Sequence, residues 1–377
     1  MFYREAGDFK TSYQKDMSAF PIRQDKIGIY IWLIIAAVVG MFSAMGWGIL
    51  GMESGFAMKA LIIPTLIFTL TTLGLNILTG FAGQISLGTG AFMGVGAYAC
   101  YKFTTWMPDV NLLIHFVLAG FVAAIVGVLF GLPSLRIKGF YLVVATLGAQ
   151  FFLEWAFGRI AWLYNYNPSG AIEVPTRTLF GVEITGPSAS VTAQYVVVLL
   201  ILIFLTWIAS NLIRGRIGRS WMMIRDHDVA GQLIGVRPLT AKLSAFAVSS
   251  FYCGVSGALM VFIWLGAAEV ESFDINHSFL YLFMVIIGGL GSITGSYMGA
   301  AFIWIFPILL KEVGKGFNGW FLEKTSIDLG MNATVMENVS LVAIGAMIVI
   351  ILIKEPHGLA RLWLIAKQKL RLWPFPH

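Results

Sequence analysis

The sequence predicts an all-α protein that crosses a lipid bilayer many times, and three observations predict it. Of its 377 residues 58% are hydrophobic and only 12% charged, against about 25% charged in a soluble domain, so the chain lacks the polar surface that water requires. Apolar runs of about 18 residues or more recur along most of its length, each long enough to cross ~30 Å of hydrocarbon. Lys and Arg gather on alternate connections between those runs, the bias that orients helical membrane proteins. The net charge of +6 sits on these flanks and does not point to nucleic acid. Cys100 and Cys253 both lie inside apolar runs, so no disulfide framework is implied.

Residues 1–26 are polar and mixed in charge, without the short apolar core and small-residue cleavage site of a cleaved signal, and read as a cytoplasmic N-terminal segment. The transmembrane domain is expected over 27–353, as about ten transmembrane or half-spanning helices near 27–50, 60–80, 86–105, 111–132, 140–158, 191–213, 243–265, 278–290, 292–310 and 338–353. The eighth and ninth are short and meet at Gly-Gly-Leu-Gly-Ser, which suits half-helices or a re-entrant pair. An inner N-terminus and ten crossings return the basic tail 354–377 to the cytoplasm. The inner segments 1–26, 133–139, 214–242 and 354–377 then hold 18 of the 25 Lys and Arg. The others, Lys59, Lys102, Arg159, Arg177, Lys311, Lys315 and Lys324, fall outside. Flipping the chain would invert this bias. Two longer external segments are expected, 159–190 and 311–337. Pro168, Pro175 and Pro187 bar a continuous helix in the first, because proline removes a backbone donor and clashes with the preceding turn.

Two glycine-rich stretches interrupt the apolar pattern. The first, 80–100, holds Gly80, Gly83, Gly88, Gly90, Gly94 and Gly96; the second, 284–302, holds Gly288, Gly289, Gly291, Gly295 and Gly299. Their later halves, Gly90–Gly94 and Gly291–Gly295–Gly299, have the small-xxx-small spacing by which helix backbones approach in lipid. Their earlier halves add Gln84, Ser86, Ser292 and Thr294. Polar, non-helical backbone at membrane depth is tolerated where it is buried in protein or lines a wet cavity. Paired breaks in opposite halves of a chain are also a pointer to a transport pathway. Gly80, Gly83, Gln84, Ser86, Gly88, Gly90, Gly288, Gly291, Ser292 and Gly295 are therefore the candidate pathway residues. A diverged internal repeat is one account of the pair, although the similarity is mostly glycine.

The inner segment 214–242 carries six Lys or Arg between two apolar spans. It contains a short expected helix that ends at Gly235, with Asp226 and Asp228 as N-terminal residues and Pro238 beyond the stop. Asp228, Val229 and Ala230 place small residues where a partner could approach; a solvated loop with ordinary inner charge is the plainer alternative. Catalytic signatures are missing. No two of His115, His227, His277, His357 and His377 stand at helical ligand spacing, and Gly314-Lys315-Gly316 lacks the rest of a phosphate loop. The chain is therefore not expected to be an enzyme, to bind a metal or to hydrolyse ATP itself. Glu154 is the one carboxylate well inside a span, a functional candidate because isolated charge there costs at least ~2.5 kcal/mol. The plainer reading sets it near the external interface, reaching water or Arg159. Lys102 and His115 read as interfacial.

With these residues in view, the sequence resembles a known family. Residues 218–259, GRSWMMIRDHDVAGQLIGVRPLTAKLSAFAVSSFYCGVSGAL, resemble the cytoplasmic loop and following span of the M-type permeases of branched-chain amino acid ABC importers. NILTGFAGQISLGTGAFMGVGAYA and IIGGLGSITGSYMGAAF are similar to that family's N-terminal and C-terminal signatures, in the family's order from about Leu61 to Gly358. The resemblance implies a second homologous permease, two cytoplasmic ATPase subunits that use ATP and Mg, a periplasmic substrate-binding protein, and a bacterial inner membrane. It implies that Arg225, Asp226, His227, Asp228, Ala230 and Gly235 belong to the coupling helix that sits on the ATPase. Asp226 and Asp228 stand where the family often has Glu, Thr89 where it often has His, and 164–175 lack a frequent Gly-Gly. Members of this fold also import urea, short amides and small carboxylates. A self-sufficient ion-coupled carrier is the alternative from another class, and it would need an intramembrane acid such as Glu154.

Overall fold

The computed structural model describes residues 54–134, 141–179, 181–186, 188–325, 333–355 and 358–372. The expected first span (27–50), the segment 1–26 and residues 135–140 lie outside them. The helices are α1 (Met58–Phe81), α2 (Thr89–Trp106), α3 (Leu112–Ser134), α4 (Tyr141–Arg159) and α5 (Val191–Arg214). Two short helices follow, α6 (Arg216–Asp226) and α7 (Asp228–Leu233), then α8 (Pro238–Leu265), α9 (Ile275–Gly288), α10 (Ile293–Thr325), α11 (Ala333–Lys354) and α12 (Gly358–Leu372). Every expected span after the first falls on one of these helices. Among the described residues, seven helical segments are long and apolar enough to cross a membrane.

The eighth and ninth spans are two separate helices of unequal length. Helix α9 has 14 residues and is capped by an extended Asp274 that separates it from a 3₁₀ turn over Val270–Phe273, whereas α10 runs for 33 residues without a break despite Pro307. At 1.5 Å per residue α10 is about 50 Å long, more than a bilayer needs. The expected external loop 311–337 is accordingly helical through Thr325 and again from Ala333. Lys311, Glu312, Lys315 and Lys324 end the hydropathy signal, yet Lys and Glu are good helix formers, so the helix outlasts the apolar run.

Helices α1 and α8 form the centre: 83% of the apolar window of each is buried, against 28% for α5 and α10. Polar side chains stitch this centre together, as expected where apolar burial no longer drives helix association. Thr71 Oγ1 lies 2.5 Å from Ser256 Oγ, which also bonds the Ile67 carbonyl at 2.8 Å. Thr65, Thr69 and Thr72 return their hydroxyls to carbonyls one turn back at 2.6–2.7 Å, which satisfies them without a partner helix. Backbones meet where side chains are missing. A Cβ on Gly96 of α2 would lie 2.0 Å from the Gly254 carbonyl of α8, and one on Gly257 would lie 2.0 Å from the Met93 carbonyl.

The all-α class holds, and the described residues of segment 159–190 are non-helical beyond the first turns, as its prolines required, with two small antiparallel sheets ordering the loop. Strand β1 (Ile172–Glu173) pairs with β4 (Ala267–Ala268) just past α8, and β2 (Arg177–Leu179) pairs with β3 (Val182–Thr185). The segment clamps helix ends. The Arg177 guanidinium donates to the Thr104 carbonyl at 2.6 Å and to the Pro108 carbonyl. Lys102 and His115, expected near the span ends, are buried within the protein there. The Lys102 ammonium bonds Asn165 and stands 4.3 Å from the centre of the Trp162 ring, so an amide and an aromatic face replace its water.

Candidate coupling junction and translocation site

The first glycine-rich break starts where α1 loosens. Its last turn, Ile77–Phe81, is a π-turn, and Gly83 takes a left-handed φ of +69° that side chains disfavour. The second break is as sharp, with Gly289 at φ +120° and Gly291 at φ +72° between α9 and α10. The two breaks touch. A Cβ on Gly80 would fall 2.0 Å from Asn76 Oδ1 and 2.2 Å from the Gly291 nitrogen. Asn76, buried near the end of α1, accepts from the Gly291 N–H at 2.9 Å and donates to the Ser292 carbonyl at 2.8 Å and to Ser296 Oγ at 2.9 Å. One amide thus satisfies the bare backbone of the second break, in keeping with the rule that irregular backbone at membrane depth be buried in protein. Sequence reading missed Asn76; the signal was an amide inside the apolar run 60–80.

The other candidate pathway residues divide by surroundings. Gly88 and Gly90 let the start of α2 lie against its neighbours: their Cβ positions would meet the Thr146 carbonyl at 2.8 Å and Ser278 Oγ at 2.9 Å. There the Gly90 N–H donates to Ser278 Oγ at 2.8 Å, the Ala91 N–H to Gln150 Oε1 at 2.8 Å, and the Ser278 hydroxyl to that same oxygen at 3.0 Å. Gln150 and Ser278 were also missed. Gly288 and Gly295 are contact glycines between α9 and α10, with a Cβ on Gly288 reaching the Gly295 carbonyl at 2.1 Å. Ser292 accepts from the Gly295 N–H at 3.1 Å, as a residue ahead of a helix does. Ser86 is buried and accepts from the Gly88 N–H at 3.3 Å. Gln84 is buried with neither amide atom hydrogen-bonded among the described residues.

The basic segment lies against this junction. Trp221 of α6 is fully buried and donates from Nε1 to Ser244 Oγ of α8 at 2.9 Å, and Ile224 is buried beside it. Arg225 donates from Nη1 to the Gly80 carbonyl at 2.6 Å, and a Cβ on Gly83 would reach its Cγ at 2.7 Å. Asp226 is the last residue of α6, not the start of a helix as expected. It takes the other side of the guanidinium, from Nε at 2.8 Å and Nη2 at 3.2 Å. That hydrogen bond holds the Asp226 carboxyl below the usual carboxylate range, so the pairing is present at neutral pH and is lost only as pH falls through the lowered value. Two helices therefore replace the single one expected. His227 separates them and is exposed; Asp228 begins α7, and Ala230 is exposed on it. The stop at Gly235 holds. It has φ +89°, its N–H bonds the Gln232 carbonyl at 3.0 Å, and the Val236 N–H bonds the Gly231 carbonyl at 2.9 Å, the paired bonds of a left-handed glycine cap. Helix α7 leaves Val229, Leu233 and Ile234 64%, 84% and 67% exposed.

Glu154 stands apart on α4. Its Oε2 is buried without a hydrogen-bond partner among the described residues, and Gln150 and Asp274 are its polar neighbours. No ion pair joins it to Arg159 among the described residues.

A bundle of helices long and apolar enough to cross a membrane, with a broken-helix junction and a helical loop seated on it, defines a polytopic membrane protein. The comparisons with known proteins make the class specific. Residues 57–352 match the model of the family described as branched-chain amino acid transport system / permease component, and the chain belongs to that family. Over 321 residues it is 28% identical to the high-affinity branched-chain amino acid transport system permease protein LivM of Salmonella typhimurium, covering 78% of this chain and 68% of that protein. LivM of Escherichia coli K12 is similar to the same extent. Within the family, the likeness is thus to the M-type permeases. No solved structure matches.

Proposed function

We propose that this chain is one of two transmembrane permeases of an ATP-driven importer in a bacterial inner membrane, with both termini cytoplasmic. A periplasmic binding protein delivers a branched-chain or other small hydrophobic amino acid. Two cytoplasmic ATPase subunits use ATP and Mg, and the chain itself binds neither. Closure of the ATPase pair shifts the permeases between outward- and inward-facing populations, as far as nucleotide binds the two states differently. The observation that carries this reading is α7: three exposed apolar side chains, Val229, Leu233 and Ile234, on a short helix and its cap, with Ile224 of α6 3.0 Å from the Cβ position of Gly231 and α6 itself anchored by Trp221 and Arg225. A merely solvated loop has no use for such a knob. Buried in a partner, it is the apolar anchor that interfaces concentrate.

Leu233→Asp is expected to strip the ATPase subunits from the purified complex while membrane insertion continues. Affinity purification followed by quantification of ATPase per permease tests this, and retention of the ATPase at wild-type stoichiometry would remove α7 as the docking element. Orientation is tested separately. Cys100 and Cys253 are buried free thiols, so single cysteines dominate labelling in intact cells. A cysteine at exposed Val182 should react with an impermeant maleimide and one at Arg216 should not; the reverse pattern would invert the topology.

Import of urea, short amides or small organic acids by the same architecture is the alternative for cargo, and titrating the cognate binding protein with a panel of these solutes and amino acids decides it. Glu154, with its unpartnered buried oxygen, favours a second reading as an ion-coupled carrier, because such a carrier needs an intramembrane acid. Glu154→Gln is expected to leave ATP-dependent uptake within about twofold of wild type. Loss of uptake in that variant, together with loss of a dependence on proton or sodium gradient, would transfer the assignment to the carrier.

A further inference from the structure

We infer that Arg225 is the strut that transmits movement of the docking loop to both glycine-rich breaks at once. The inference rests on the docking reading of α7 and deepens it by naming the path. Three contacts meet at one side chain. Nη1 holds the Gly80 carbonyl at 2.6 Å, the side-chain stem lies under Gly83 so that a Cβ there would stand 2.7 Å from Cγ, and Nη1 lies 3.4 Å from the Cβ position of Gly291. The Gly80 carbonyl is in the last turn of α1, where carbonyls lack a helical partner and a cation is favoured by the helix dipole. Asp226 grips Nε and Nη2, and this fork aims the remaining nitrogen at Gly80. A planar guanidinium can serve both partners together, whereas a lysine ammonium is a point charge on a flexible stem and cannot reproduce the fork.

Transmission beyond Gly80 is steric. Gly80 lies against the Gly291 nitrogen, and Asn76 bonds that N–H and the Ser292 carbonyl. A displacement of α6 along its axis therefore moves the end of α1 and carries the start of α10 with it. The left-handed glycines Gly83, Gly289 and Gly291 are where the chain can turn without displacing the packed halves of the helices. Arg225 touches no cargo in this account; it is a positioning residue.

The test uses the assembled complex of both permeases and the ATPase subunits. Spin labels are placed on Ile85 and Leu290, which are 45% and 52% exposed in the two breaks, with Cys100 and Cys253 replaced by serine. The Ile85–Leu290 distance is read by pulsed EPR without nucleotide and after trapping with ATP and vanadate. The distance distribution should shift on trapping in the wild type, and that shift should be lost in Arg225→Ala and at least halved in Arg225→Lys, at unchanged ATPase stoichiometry and melting temperature. A full shift in Arg225→Lys, or no shift in the wild type, would overturn the strut. Arg225→Lys keeps length and charge and decides the matter should the alanine variant fail to assemble. Leu233→Asp is run alongside: ATPase retained there counts against docking at α7, whereas ATPase lost there with a full shift in both Arg225 variants counts against the strut alone.

Discussion

Uptake by the assembled transporter is expected to disappear when Gly80 is replaced by leucine. The new Cβ would stand 2.0 Å from Asn76 Oδ1 and 2.2 Å from the Gly291 nitrogen, and one of those atoms is backbone that cannot rotate away. Overpacking a well-filled site typically costs about 1–3 kcal/mol. Here the intruding side chain would also pull Asn76 from the bonds it makes to Gly291, Ser292 and Ser296, leaving buried polar groups unmatched at roughly 1–3 kcal/mol each. Binding-protein-dependent uptake in proteoliposomes measures the outcome, with at least a tenfold loss expected. Wild-type uptake would mean that the two breaks do not meet as described.

Replacing Gly254 with leucine should have the largest effect on folding. Gly254 sits where three helices converge. Its own Cβ would lie 2.4 Å from that of Ala123, and the Gly254 carbonyl already fills the place of a side chain on Gly96. Helices α2 and α8 would have to separate, with a destabilisation above about 4 kcal/mol of the kind that follows core overpacking. Monodisperse protein in detergent chromatography should be lost. Gly148→Leu is the control, because nothing lies within 4 Å of its Cβ position on α4, and yield and melting temperature there should match the wild type.

These expectations show how unevenly structure can be read from a sequence of this kind. Spans were legible because hydrophobic length is a property of one segment, and the stop at Gly235 was legible because a glycine followed by Pro238 has a local cause. The two breaks could be located from their glycines, but not their meeting, since Gly80 and Gly291 are far apart in the chain and their contact is tertiary. Asn76 and Gln150 each stand alone among apolar neighbours, and only their distant partners reveal what they bridge. The direction of Arg225 was equally hidden: its charge suggested a loop facing a partner, whereas the side chain turns back to Gly80. Strands of two to four residues in 159–190 are too short for an alternating pattern to register. The long reach of α10 was missed because hydropathy reports lipid exposure, while helix formation depends on propensity.

The source of energy for uptake tests the central claim most directly. Complexes carrying this chain, its partner permease and the ATPase subunits are reconstituted in proteoliposomes with ATP enclosed on the side of α7, and loaded binding protein is added outside. Uptake is expected to require both enclosed ATP and binding protein, and to be unchanged when ionophores collapse the proton and sodium gradients. Uptake driven by an imposed ion gradient without ATP would contradict the account.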